Sequence, residues 1–539
     1  MKSSFRIQSS AAILFLLGMA ASMPTDLFAQ VSAEQKTGAT PKPKRGYTIS
    51  KETTYFTGPL KADGTIDFVA AINEHFSQGV TDENNAALVI VPAMDLTDWG
   101  TNGRRERVLE AMGLTPEDIS HRTTMLELRM FSKEPGGASV EALSVAYTAA
   151  LDKLWTDDEL PLMRRWLDRN QGVMSQIAEG ARRTRYFVPF VSDEKGEPLT
   201  GILLEHAQQM RSIARAFSIR ANNHMAHSRW NDAWADILTI RDLGRLAAKG
   251  PTLIEGLVGV AITGIACSEA NYLIATADPS TVDWEALRST WKILPISDLS
   301  HSMGITERAM LIQLSCNIWE QPDPNAQLLQ QITMNEDEFA AAGTKLIGRT
   351  LKGMLTSGEV NLDDALRYSN QMYDRAIDVL SMPDAASREK AFAEIDTQIQ
   401  VAESGAPGES NVSTLVRVLT SQPQKPAEQF SKVLLSMIFP AAQTGLRAEL
   451  RTRASQNVVD LALAARALQA RTGQLPGSLR ELEPFADEAA FVQPSTGDSI
   501  AFRAVDQGIL IYHWSSDRKD DGGDIDGENP KDWGIRIDK

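Results

Sequence analysis

From about residue 47 to residue 402, apolar side chains recur at offsets of three and four, and this spacing constrains the fold more than any other feature of the 539-residue chain. Leu203, Ala207, Met210, Ala214 and Phe217 make one such stripe. After a break at His227 to Arg229, Trp230, Ala233, Trp234 and Ile237 make another. A period of 3.6 residues puts each set on one face of a helix. Two amphipathic helices joined by so short a connection pack antiparallel, loosely like one unit of a tetratricopeptide-type array. No 34-residue self-similarity runs through the rest of the chain, so a regular repeat solenoid is not expected. The expected fold class is mainly α, an antiparallel helical array followed by a small C-terminal α+β domain.

Two breaks and a leader divide the chain. Lys2 and Arg6, an apolar run from Ala11 to Ala21 and a small-residue exit have the three parts of a secretory signal. Residues 1–29 are therefore expected to be removed after Ala29, with cleavage near Ser22 as the alternative, and the product to be periplasmic or extracellular. Residues 30–46, with Pro41, Lys42, Pro43, Lys44 and Arg45, form a flexible linker. The helical body is expected over 47–440. Gly405, Pro407, Gly408, Pro423 and Pro426 mark a mobile insert at about 403–428.

The tail, 441–539, has a different pattern. Val458, Leu461, Ala462, Ala465 and Leu468 share a helical face, and Gly473 supplies the stop. Ser478 and Glu481 make a capping-box pattern for a short helix through Leu482. Ser499 to Val505 and Ile509 to Trp514 read as two strands joined by a tight turn at Asp506, Gln507 and Gly508. A long helix laid on a small antiparallel sheet is the natural packing.

Hydrophobic residues make up 43% of the chain and charged ones 23%, enough apolar material for a substantial core. The net charge is −16, and removing residues 1–29 takes away Lys2, Arg6 and Asp26 to leave −17. Such a surface repels phosphate backbones, so nucleic acid is not an expected partner; a protein or envelope component is. The two cysteines, Cys267 and Cys316, sit in apolar helical patterns and read as buried free thiols, with a disulfide as the alternative. Trp155, Trp166, Trp230, Trp234, Trp284 and Trp291 fall on helical faces and read as packing residues.

Thr53 to Leu60 (TTYFTGPL), Gly79 to Ala87 (GVTDENNAA), Gly250 to Ile262 (GPTLIEGLVGVAI) and Lys519 to Gly523 (KDDGG) together resemble a family of large exported bacterial proteins of uncharacterised biochemical role. The likeness spans nearly the whole mature chain and brings no activity with it. From about Arg451 the tail also resembles the C-terminal domain of type II secretion major pseudopilins. The points of likeness are Gly473 to Pro476 (GQLP), the paired strands and the acidic Gly-rich segment after Trp514. That resemblance implies a helix leading into a small sheet and an acidic calcium-binding loop. His513, Trp514 and Ser515 stand where such tails usually carry smaller residues.

The candidate ion site is the run Asp517, Asp520, Asp521, Asp524, Asp526 and Glu528 around Gly522, Gly523 and Gly527. Calcium takes six to eight oxygens, and glycines let a loop turn tightly enough to aim several carboxylates inward. The alternative is a solvated acidic loop. The run is not an EF-hand, because a loop starting at Asp524 puts Asn529 at the glycine position and Ile535 at the glutamate position. Gly250 to Ala266 looks like a prepilin processing site, but 249 residues precede it and the apolar stretch from Leu257 to Cys267 falls short of the roughly 20 residues a bilayer needs. A closely packed buried helix with Gly256, Gly259 and Gly264 is the expected form, with no transmembrane span in the mature chain. His224 and His227 lie three apart without an HExxH context. Ser289 and Lys292 spell SxxK, but the KTG at Lys36 to Gly38 precedes them in the linker and no SDN is present. No catalytic motif emerges, so the expectation is a non-catalytic binding or scaffold protein; a secretion or filament-assembly component and a secreted hydrolase with unrecognised carboxylates are the alternatives.

Overall fold

The computed structural model describes residues 46–94, 103–120, 124–134, 138–192, 199, 204–291, 293–294, 299–320, 360–382, 384–399, 425–514, 519–525 and 530–539. The expected leader, nearly all of the linker, residues 403–424 of the expected insert, and Leu203, Lys292, Asp517, Asp526 and Glu528 lie outside these residues.

The principal helices are α1 (Phe68–Phe76), α2 (Val140–Asp152), α3 (Pro161–Ala181), α4 (Glu205–Ala226), α5 (Trp230–Ala247), α6 (Leu253–Thr276), α7 (Trp284–Thr290), α8 (Arg308–Glu320), α9 (Leu362–Leu380), α10 (Ala385–Ile399) and α11 (Pro426–Thr472). A short helix at Leu299–Ser302 leads through a π-helical turn at Met303–Glu307 into α8. The protein is thus mostly helical, with a small three-stranded antiparallel sheet at its C-terminal end.

The stripe at Ala207, Met210, Ala214 and Phe217 is buried, as are Ala233, Trp234 and Ile237 on the facing helix. Between α4 and α5, Ser228 takes a φ of 56° and the Arg229 N–H donates to the His224 carbonyl at 2.9 Å, which reverses the chain within three residues. Helices α5 and α6 then approach until their backbones nearly touch. A Cβ on Gly259 would fall 2.4 Å from the Ala248 nitrogen, and one on Gly244 would fall 2.4 Å from Thr263 Oγ1. Glycine is required there by space, not by backbone conformation.

Helix α6 has 24 residues and is long and apolar enough by length and composition to cross a membrane, but 72% of its most apolar window is buried inside the protein. The stretch Leu257 to Cys267 is thus only part of a longer helix, which the body covers from several sides. Cys267 and Cys316 are both buried and unbridged. Three tryptophan N–H groups brace the framework: Trp155 donates to the Ile219 carbonyl at 3.2 Å, Trp166 to that of Leu126 at 2.7 Å and Trp234 to Thr290 Oγ1 at 2.8 Å.

The boundary expected at 440/441 falls inside α11, which runs for 47 residues and carries Pro440 within it. Proline removes one main-chain hydrogen bond from a helix. The burial of Phe439, Ala441 and Ala442 on either side holds the helix through that point. Pro426 to Glu428, expected in the mobile insert, form the first turn of α11, where proline needs no N–H.

In the tail, the short segment at Leu479–Leu482 is a 3₁₀ helix, and Glu481 receives the Gly477 N–H at 3.2 Å. Ala501–Val505, Gly508–Trp514 and Asp532–Asp538 form β1, β2 and β3, paired antiparallel in that order. β3 joins the two expected strands, with Ile511 opposite Ile535 and Ile509 opposite Ile537. These four isoleucines pack with Val458, Leu461, Ala462 and Ala465 of α11 and with Ala270, Leu273 and Ile274 of α6. The tail therefore shares one apolar core with helices of the body. Arg466, buried on α11, ties the two together by donating to the Ile274 carbonyl and the Asp538 carbonyl, both at 3.1 Å.

Candidate functional site

The densest arrangement of buried ionisable groups lies at the N-terminus of α6. Thr252 caps that helix: its Oγ1 accepts the Glu255 N–H at 3.1 Å, while Glu255 Oε2 accepts the Thr252 N–H at 3.0 Å and the Thr252 hydroxyl at 2.8 Å. The pattern Thr-x-x-Glu is a capping box, and it lies in the stretch whose sequence resembles a processing site. The other carboxylate oxygen, Oε1, stands 2.9 Å from His206 Nε2 of α4. Glu307, from the π-helical turn, accepts the Leu253 N–H at 2.9 Å through Oε1, and the Glu307 carbonyl accepts the Tyr373 hydroxyl of α9 at 3.0 Å.

Four elements thus converge on one helix start, and two carboxylates satisfy N–H groups that the helix leaves open and that favour negative charge. His206, Glu255 and Glu307 are all buried. Burial pushes the Glu307 carboxyl up to about 7, with the Leu253 N–H opposing the shift and the charge of Glu255 adding to it. The Tyr186 hydroxyl, buried beside His206 with ring centroids 6.2 Å apart, has no hydrogen-bond partner among the described residues. Burial, and then the Glu255 carboxylate, raise its pKa well above the ordinary tyrosine value. Gly250 makes room for Glu255, because a Cβ there would lie 2.5 Å from the Glu255 Cβ.

Further polar ties join the same helices. Ser218 of α4 donates to Glu269 Oε1 of α6 at 2.5 Å, and both residues are buried. Arg220 of α4 grips Asp236 of α5 through Nε at 2.9 Å and Nη2 at 2.5 Å. Arg308 reaches Asp374 at 2.6 Å with its guanidinium 4.1 Å from the Tyr55 ring centroid and 5.5 Å from that of Tyr373. Cation–π contacts of this kind hold a buried guanidinium in place.

His224 and His227 do not face a common centre. His224 Nε2 lies 3.6 Å from Asp236 Oδ2, whereas His227 Nδ1 is 2.8 Å from the Asn223 carbonyl. Desolvation pushes His224 down to about 4, with Arg229 and Arg220 adding to the effect. Ser289 Oγ donates within its own helix, to the Ala286 carbonyl at 2.8 Å.

Of the expected ion-site residues, Asp520, Asp521 and Asp524 are described and fold over the outer face of the sheet. Gly522 and Gly523 both take a φ of 76°, in the left-handed region, which turns the loop back onto β2. Asp520 Oδ1 accepts the Tyr512 hydroxyl at 2.9 Å and the Gly522 N–H at 2.8 Å. The Asp524 carbonyl receives the Lys531 and Asp532 N–H groups, each at 3.0 Å. Asp532, absent from the sequence-based set, is buried at the start of β3; its Oδ2 accepts the Gly523 N–H at 2.9 Å. Among the described residues, its Oδ1 and Asp521 Oδ2 are buried oxygens without a hydrogen-bond partner. Burial raises the Asp532 pKa, and the charges of Asp520 and Asp521 add to the shift. Among the described residues, no group of three or more His, Cys, Asp or Glu side chains is placed to hold a metal ion.

A surface pocket of about 110 Å³ opens between Val80, Asp82 and Leu88 on one side and Met112, Phe187 and Pro189 on the other. Small-molecule sites usually enclose about 300 to 1,000 Å³, so this pocket fits no more than a small group. No protein family, no curated protein and no solved structure matches the chain.

Proposed function

We propose that the chain is an exported, non-catalytic scaffold that binds a protein or envelope component through the outer faces of its helical layers. The observation that carries this reading is the use made of the buried charged groups. Glu307 and Arg466 hold main-chain groups of a neighbouring element, and Glu255 holds the main-chain N–H that caps its own helix. Side chains so committed stiffen a framework. The successive hairpins of α4, α5 and α6 fit a loosely tetratricopeptide-like array, and such arrays bind through the surfaces of stacked helices. On α2, Val140 is 52% and Val145 67% exposed, which puts two apolar side chains on an outer helix face.

The mature chain should capture a saturable partner from envelope extract. Val145→Asp should weaken the capture at least about fivefold without changing the helical circular dichroism, since a charge in an apolar interface costs about 1 kcal/mol or more. Background binding alone, or capture indifferent to charges placed on the outer helix faces, would count against the reading.

A second reading has its own observation. The oxygens of Asp521 and Asp532 that have no hydrogen-bond partner among the described residues favour a tail held by calcium, as the likeness to pseudopilins implies, and a place in secretion or filament assembly follows from it. Calcium that binds only the folded tail raises its melting temperature by mass action. The expected result is a Tm increase in millimolar calcium, reversed by EDTA and abolished in Asp532→Asn. No heat on titration and no thermal shift would remove calcium from the proposal.

A further inference from the structure

His75, at the end of α1, and His301, in the short helix before the π-helical turn, are 226 positions apart and bring their Nε2 atoms to 2.6 Å. His75 is half-buried and His301 exposed. The ring centroids are 4.9 Å apart, and Phe76 lies beside both, edge-to-face with His75 at 5.1 Å and tilted against His301 at 4.8 Å. Two imidazolium rings cannot sit at that separation, because each would present an N–H of like charge. At least one Nε2 must therefore offer its lone pair, the form in which imidazole ligates metals.

We propose that His75 and His301 form a two-imidazole site for a borderline divalent ion such as zinc, nickel or copper(II), which clips α1 to the helix that carries Glu307. Imidazole suits these ions and leaves calcium to oxygen ligands. At metal–nitrogen distances of about 2.0 to 2.1 Å, tetrahedral ligation needs the nitrogens roughly 3.3 to 3.4 Å apart, so side-chain rotations that part the rings by under about 1 Å admit the ion. The ring that donates its Nε2 proton in the metal-free pair carries that proton on Nδ1 once the metal is bound, so no proton is released. Water completes the coordination on the exposed side. The site is separate from the acidic loop of the tail and rests on neither reading of the protein's role.

The test is calorimetric titration of the full chain, stripped with EDTA and dialysed, using zinc chloride and, in parallel, calcium chloride. One zinc per chain is expected, with affinity at least about tenfold weaker in His75→Gln and in His301→Gln, and a Tm increase lost in both variants. Copper(II) gives a readout that folding defects do not mimic: its electron paramagnetic resonance spectrum should show coupling to two imidazole nitrogens in the parent and to fewer in each variant. Zinc binding that persists unchanged in the double variant, or a copper spectrum without two-nitrogen coupling, overturns the proposal.

Discussion

Glu255→Ala should lower the stability of the chain by about 3 to 5 kcal/mol, because it leaves several buried polar groups unsatisfied at about 1 to 3 kcal/mol each. The substitution takes three acceptor contacts from Thr252 and His206 at once, and it strips the negative group from the start of a 24-residue helix. His206 Nε2 is then left buried without its partner, at a desolvation cost of about 1 to 3 kcal/mol within that total. Glu255→Gln keeps the shape and one acceptor oxygen and should cost less than half as much. Urea unfolding followed by tryptophan fluorescence reads the difference, since the fluorophores Trp155, Trp166 and Trp284 are buried in the body. If the alanine variant lost less than about 1 kcal/mol, the groups around α6 would not be structural, and chemistry at that place would be the better account.

How much of this arrangement the sequence discloses depends on the range over which each signal acts. The stripe through Ala207, Met210, Ala214 and Phe217 is legible because the period of a helix is local, and all four side chains are buried. The reversal at His227 to Arg229 is legible for the same reason. The Thr252 to Glu255 capping box is also written locally, but it lies within a segment that looks like a processing site, and the two readings compete for the same residues. His206 and Glu307 reach Glu255 and the α6 N-terminus from 49 and 54 positions away. No periodicity marks such pairings. β3 is obscured differently. Only Asp532, Ile535 and Ile537 are buried in it, and the acidic run before it dominates the composition. Asp532 therefore falls outside the sequence-based ion site although it packs directly beneath the loop. The tail reads as a separate domain because its pattern changes near residue 441, whereas its core is completed by α6 and α7 residues such as Ile274 and Trp284, far upstream in the chain.

Acid should unfold the tail earlier than its carboxylates alone would dictate, because of His513. This ring is buried on β2, with Nδ1 2.8 Å from the Trp514 carbonyl and Nε2 3.2 Å from Ser455 Oγ on α11. A carbonyl accepts only, so Nδ1 donates to it; Nε2 faces the Ser455 hydroxyl, which also lies 3.1 Å from the Arg451 carbonyl, and burial of the ring favours its neutral form. Burial pushes His513 down to about 4 from 6.5, with the Trp514 carbonyl opposing and Arg451 adding to the shift. The unfolded chain thus binds the proton first as the pH drops. Stability is fully present above 6.5 and is lost as the pH falls towards 4, by about 3 kcal/mol at 1.36 kcal/mol per unit. Glu307 acts in the opposite sense: its raised pKa contributes stability below 4.5 that disappears as the pH rises through about 7. The two slopes oppose one another near pH 5 to 6, so the wild-type profile alone does not isolate either group. His513→Gln separates them, since the amide can donate and accept at the same site without titrating. Relative to wild type, the variant should gain about 3 kcal/mol in urea unfolding between pH 7 and pH 4. A constant offset across that range would show that His513 binds its proton equally well in the folded and unfolded chain, and the burial of the ring between β2 and α11 would not shift its titration.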